Sequence, residues 1–161
     1  MNDWKGELDA IVGARHGGAG EPIAKRLAEL DARHPNVPEI KLQLAWSLEV
    51  CGRPAQALPC YEAAIALGLS TPQEHAGALV GLGNCQRVTG QGDKAVETLR
   101  NACVLFPDNR EFDAFLALAL HAQGHYAEAV RCLMTVLIET SEDNGIRAYQ
   151  RSLRHESSKL A

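Results

Sequence analysis

Few residues in this chain are typed and spaced for chemistry, and each set lacks a partner that the chemistry needs. His121 and His125 are four residues apart, the spacing of paired imidazole ligands for a metal on one helical face. Gly124 lies between them at an expected helix end, so His125 belongs to a turn, and no acidic or cysteine third ligand is in register. The pair reads as surface histidines flanking that turn. Gly17-Gly18-Ala19-Gly20 has the composition of a phosphate-cradling loop, yet no strand precedes it and no Gly-Lys-Ser/Thr ends it. It reads as a boundary turn between helices. Ser, His and Asp occur without a nucleophile-elbow pattern. The five cysteines, Cys51, Cys60, Cys85, Cys103 and Cys132, are odd in number and contain no C-x-x-C pair. Set within helical stretches, they read as reduced core or surface residues. The chain is expected to be no enzyme and to carry no cofactor or metal.

Charge narrows the partners. Sixteen Lys and Arg against twenty Asp and Glu leave a formal net charge of −4, which argues against nucleic acid as a ligand. Two basic sets, Lys25, Arg26, Arg33 and Arg147, Arg151, Arg154, are diluted by Glu21, Glu29, Asp31, Glu142 and Asp143 and read as solvated faces. No run of about 18 apolar residues is present, so no membrane span is expected. Met1-Asn2-Asp3-Trp4-Lys5 lacks an apolar signal core, and the expected location is cytoplasmic. At 161 residues and 46% hydrophobic, the chain suits one domain; with only 5% aromatics, Ala and Leu must do most of the packing.

The elements that position these residues repeat. Gly52, Gly90 and Gly124 each end an apolar helical stretch. Five residues after each comes Ala57, Ala95 or Ala129, and four further on a bulky Tyr61, Leu99 or Leu133. The last two units are 34 residues apart; the first two are 38 apart, the same period with four residues inserted. The insertion falls between Gly68 and Ala76 and reads as an extra turn on the helix starting at Pro72. Thr71-Pro72-Gln73-Glu74 is a capping box with Pro at the first helical position. That helix runs to Thr89-Gly90, and a second runs from about Asp93 to Phe106, stopped by Pro107-Asp108-Asn109. Asp108 is expected to cap the next helix. After Asp143, Ile146, Tyr149 and Leu153 form one apolar stripe opposite the arginines, as in a single solvating helix.

A two-helix unit of this period, with Leu79, Leu82, Gly83, Gln86, Ala95, Leu99 and Pro107 at its signature places, resembles the tetratricopeptide repeat. Asp113, Leu116, Ala117, Leu120, Ala129, Leu133 and Ser141 repeat the pattern, as do Lys41, Leu44, Ala45, Leu48, Ala57, Tyr61 and Leu69. The resemblance implies an all-α, right-handed α-solenoid of about nine helices, a single domain over 1–161. Its repeats are 38–71, 76–109 and 110–143, after a degenerate repeat at 4–37 and before a C-terminal capping helix at 144–158. In the degenerate repeat, Ile23 replaces the usual small residue.

The same resemblance implies a function: a protein-interaction module or adaptor that binds a peptide or partner helix in an apolar concave groove. By register the groove residues are Leu42, Trp46 and Glu49, then Val80, Asn84 and Arg87, then Ala114, Phe115, Leu118 and His121. Trp46 is the expected anchor, and Asn84 and Arg87 the groups that orient a ligand. The carboxylate clamp of one subgroup is missing, since its places hold Leu42, Trp46, Gly81, Glu111 and Phe115. The alternative is a self-assembling structural protein, a homodimer or larger homo-oligomer joined through its groove or its repeat ends.

Overall fold

The computed structural model describes residues 4–17 and 20–161. Among the described residues there are helices and no strands. The helices are α1 (Trp4–Gly13), α2 (Gly20–Arg33), α3 (Pro38–Val50), α4 (Pro54–Leu67), α5 (Pro72–Val88), α6 (Gly92–Leu105), α7 (Glu111–Ala122), α8 (Tyr126–Thr140), α9 (Asn144–Ala148) and α10 (Gln150–Ser158). A 3₁₀ turn, Ala14–Gly17, follows α1. Gly18 and Ala19, half of the glycine-rich tetrapeptide, lie outside the described residues.

The three repeating glycines do what their spacing implies. Gly52, Gly90 and Gly124 have φ of +72°, +82° and +82°, a left-handed conformation that a side chain resists. Each closes a Schellman turn: Arg53 N–H donates to Leu48 O, Gln91 to Gln86 O and His125 to Leu120 O, at 2.8–2.9 Å. The orphan carbonyls of α3, α5 and α7 are thereby satisfied, and the chain reverses into the next helix. The capping box also forms. Glu74 N–H donates to Thr71 Oγ1 at 3.1 Å, and Thr71 N–H donates back to Glu74 Oε2 at 3.1 Å. From this cap α5 runs for 17 residues, against 13 for α3 and 12 for α7, which is the inserted turn.

Two expectations about helix ends are corrected. Asp108 does not cap: α7 starts only at Glu111, with Arg110 at the N-cap and no side-chain cap bond. Asp108 is thus left exposed in the turn, too far upstream to reach the first free amides. The C-terminal stretch is two helices rather than one, broken at Tyr149, which is exposed instead of sharing a stripe with Ile146 and Leu153. Asp143 caps α9 by accepting the Ile146 N–H at 2.9 Å. Gln150 Nε2 donates to Ile138 O at 3.1 Å and fastens the start of α10 to α8.

The helices gather into two compact units that divide inside α5, one ending at Cys85 and the other spanning Gln86–Ala161. A stack of repeats makes contacts only between neighbours, so such a boundary can fall within a helix. In the first unit α3 packs on α4, α2 on α3, and α1 on α2. Ile11, Leu27, Leu30, Ile40, Ala45, Ala57 and Tyr61 are fully buried there. In the second, α7 packs on α8, α6 on α7, and α10 on α8, around Ala95, Leu99, Phe112, Ala117 and Leu120. The small signature residues are buried in both, which lets paired helices approach closely. Leu133 departs from this pattern and is exposed, unlike its equivalents Tyr61 and Leu99.

Candidate binding surfaces

The expected groove residues fall in both units. In the first unit, Leu42 is a correction: only 3% exposed, it belongs to the core and offers a ligand no surface. Trp46, one turn further along α3, is 45% exposed, and Val50 after it is 78% exposed. The end of α3 passes the 3₁₀ turn and the start of α2 here, leaving a cleft of about 270 Å³ lined by Arg15, Gly20, Ile23, Trp46, Ser47 and Val50. The Arg15 guanidinium stands 5.9 Å from the centre of the indole ring, a cation–π distance. It also donates to Ser47 Oγ at 3.2 Å. Burial pulls the Arg15 pKa below its usual value. The cleft therefore pairs an aromatic face and aliphatic walls with one fixed cation.

Glu49 and Asn84 are joined to each other. Asn84 Nδ2 donates to Glu49 Oε1 at 2.7 Å, and the Tyr61 hydroxyl donates to Glu49 Oε2 at 2.8 Å. Burial and then Glu49 push the Tyr61 phenol far above its ordinary pKa, so it stays a donor. This carboxylate ties α3, α4 and α5 together, and part of Asn84's hydrogen-bonding capacity is spent within the protein. Val80 is half-buried on α5.

In the second unit, Arg87 lies in the last turn of α5 and is half-buried. On α7, Ala114 and Phe115 are half-buried and Leu118 is exposed. The exposed ring of His121 sits edge-on to Tyr126, with centroids 5.0 Å apart. His125 occupies the N-cap of α8, in the turn, as the spacing around Gly124 implied.

Arg15 and Val50 were not singled out from the sequence. Val50 had a signal, the four-residue spacing from Trp46 within α3. Arg15 had none, because its proximity to Trp46 is created by folding across the α1–α2 turn. Burial raises the Cys85 thiol to about 12 and the Cys103 thiol to about 11, with Asp113 adding to the latter. Among the described residues, no helix is long and apolar enough to cross a membrane.

Known proteins share this architecture. The solved structure of MamA protein is 18% identical and covers 99% of this chain and 89% of its own, with a TM-score of 0.73. The MamA RS-1 ArsTM double mutant is 15% identical over 99% of this chain and 96% of its own, with a TM-score of 0.72. A further MamA crystal structure gives 19%, 92%, 88% and 0.69 in the same order. At these identities the likeness is one of fold. No curated protein matches the sequence. Residues 38–160 match the family described as tetratrico peptide repeat. With the matched span holding all three Schellman-turned helix pairs, the chain belongs to the tetratricopeptide repeat family, an architecture for protein–protein interaction.

Proposed function

We propose that the chain is a non-catalytic adaptor that holds an apolar peptide or helix segment of a partner protein, with the Trp46 cleft as its anchor point. The observation that carries this reading is an indole left 45% exposed over an apolar cleft, beside a valine that is 78% exposed. A half-exposed tryptophan in a pocket is the residue type most often found to dominate an interface. The apolar walls would take an aliphatic or aromatic side chain, while Arg15 favours an electronegative group beside it, a backbone carbonyl or a carboxylate. Leu118 and Phe115 extend the apolar reading to the second unit. Helices α1 and α2, upstream of the family match, are read as a degenerate first repeat that supplies one wall of the cleft.

Burying the indole and two aliphatic groups contributes several kcal/mol before ordering costs, enough for micromolar binding. Partners captured by the wild-type protein from its host should be lost, or weakened at least tenfold (about 1.4 kcal/mol), by Trp46→Ala. Helical content should stay unchanged, since the indole is not a core side chain. Affinity should depend weakly on salt. Capture of the same partners at undiminished affinity by Trp46→Ala would remove the cleft from the binding surface.

A further inference from the structure

The longest exposed apolar feature in the second unit is a stripe on α8. Tyr126, Val130, Leu133 and Leu137 are 60%, 44%, 46% and 41% exposed. Their spacings of four, three and four residues gather them into an arc of about 60° on the helix surface. In the earlier repeats the equivalent places are covered. Tyr61 and Leu99, which match Leu133, are fully buried; Leu58, which matches Val130, is buried, and Val96, its other match, is half-buried, as are Ile65 and Cys103, which match Leu137. α5 lies over Tyr61, where a Cβ on Gly81 would collide with the ring, and α7 packs on α6. On α8, the C-terminal helix α10 packs on the flank that carries Ile138 and leaves the stripe open.

The geometry points to a second copy of this chain as the cover, with α8 packed antiparallel on its symmetry mate about a two-fold axis between Val130 and Leu133. The spacing reads the same in both directions, so an antiparallel pair sets Tyr126 against Leu137 of the other copy and Val130 against its Leu133. A two-fold interface needs this self-complementarity. An apolar stripe on each copy also needs no charge buried opposite it without a partner. The stripe is uncharged, and the charged groups of α8 are held by its own chain. Glu128 pairs with Arg100 at 2.6 Å, Glu139 with Arg110 at 2.5 Å, and Arg131 donates to Leu160 O at 2.5 Å. A head-to-tail stack would instead set the stripe on α1, whose exposed residues are Lys5, Gly6, Asp9, Ala10 and Gly13 and offer no large apolar match. Four side chains put the contact at the small end of specific interfaces, under about 1,200 Å² in total, so the pair is weak and concentration-dependent.

The test is sedimentation equilibrium of the full chain from about 1 to about 200 µM. The expected mass rises from 17.4 kDa toward twice that value with concentration. Val130→Glu and Leu133→Lys should each hold the mass at one chain, with unchanged helical circular dichroism. An equimolar mixture of the two variants should recover the two-chain mass, because position 130 of one copy faces position 133 of the other. Trp46→Ala should dimerise like the wild type, which separates this face from the cleft. A mass that stays at one chain throughout overturns the proposal. So does a dimer that survives both substitutions, or a mixture that stays monomeric.

Discussion

Replacing Gly81 by Ala should destabilise the protein by up to about 2 kcal/mol, although the same change in a helix ordinarily stabilises by about 1 kcal/mol. The Gly81 Cβ would meet the Cζ, Oη and Cε1 atoms of the Tyr61 ring well inside van der Waals contact. The ring has nowhere to go: Tyr61 is fully buried, and its hydroxyl donates to Glu49 at 2.8 Å. Displacing it costs that charge-assisted hydrogen bond, about 1.5–3 kcal/mol. Holding it in place costs overpacking strain, about 1–3 kcal/mol. Either cost offsets or exceeds the gain in helix propensity. Gly77, one turn earlier in the same helix, is the control, because a Cβ there meets nothing within 4 Å. Gly77→Ala should therefore stabilise by about 0.5–1 kcal/mol. Urea melts followed by helical circular dichroism measure both. If Gly81→Ala is as stable as Gly77→Ala, the close approach of α5 to Tyr61 is wrong, and with it the packing of that repeat.

Ala95→Leu and Ala129→Leu should each cost about 1–3 kcal/mol by overpacking paired helices, while Arg151→Ala on an exposed face should stay within about 0.5 kcal/mol; equal effects in urea melts would mean the repeat register is wrong. Alkaline pH should destabilise. Cys103 and Cys85 have folded pKa values raised to about 11 and about 12 from 9.0, so their contribution is complete below pH 9 and is lost as pH climbs toward those values. In that window the unfolded chain has released protons that the folded chain keeps, and stability falls by up to about 1.4 kcal/mol per pH unit for each thiol. Tyr61, raised in the same direction, adds to the loss above pH 10. Urea midpoints at pH 8 and pH 10.5 measure the slope, and a flat profile would contradict burial of these groups.

The helix pairs and their turns were determined locally, which is why they were legible in the sequence. A Gly that must take positive φ at 52, 90 and 124, a Thr71–Glu74 capping box and a small residue five positions past each turn act within a few residues of themselves. Periodicity then carried one repeat to the next. The errors arose where a longer-range contact decided. Asp108 has a capping residue's chemistry, but the first turn of α7 formed beyond its reach. Tyr149 fits an apolar stripe on paper, yet the helix breaks there, where Gln150 at the start of α10 is anchored to α8. The candidate site divides along the same line. Register alone put Trp46 on an open face of α3, but it put Leu42 there too, and only the packing of the first unit buried one and left the other exposed. Arg15 over the indole, Gly81 under Tyr61 and the open stripe on α8 are tertiary facts. Each depends on which neighbouring helix arrives to cover a given face, and the period of a single helix carries no information about that.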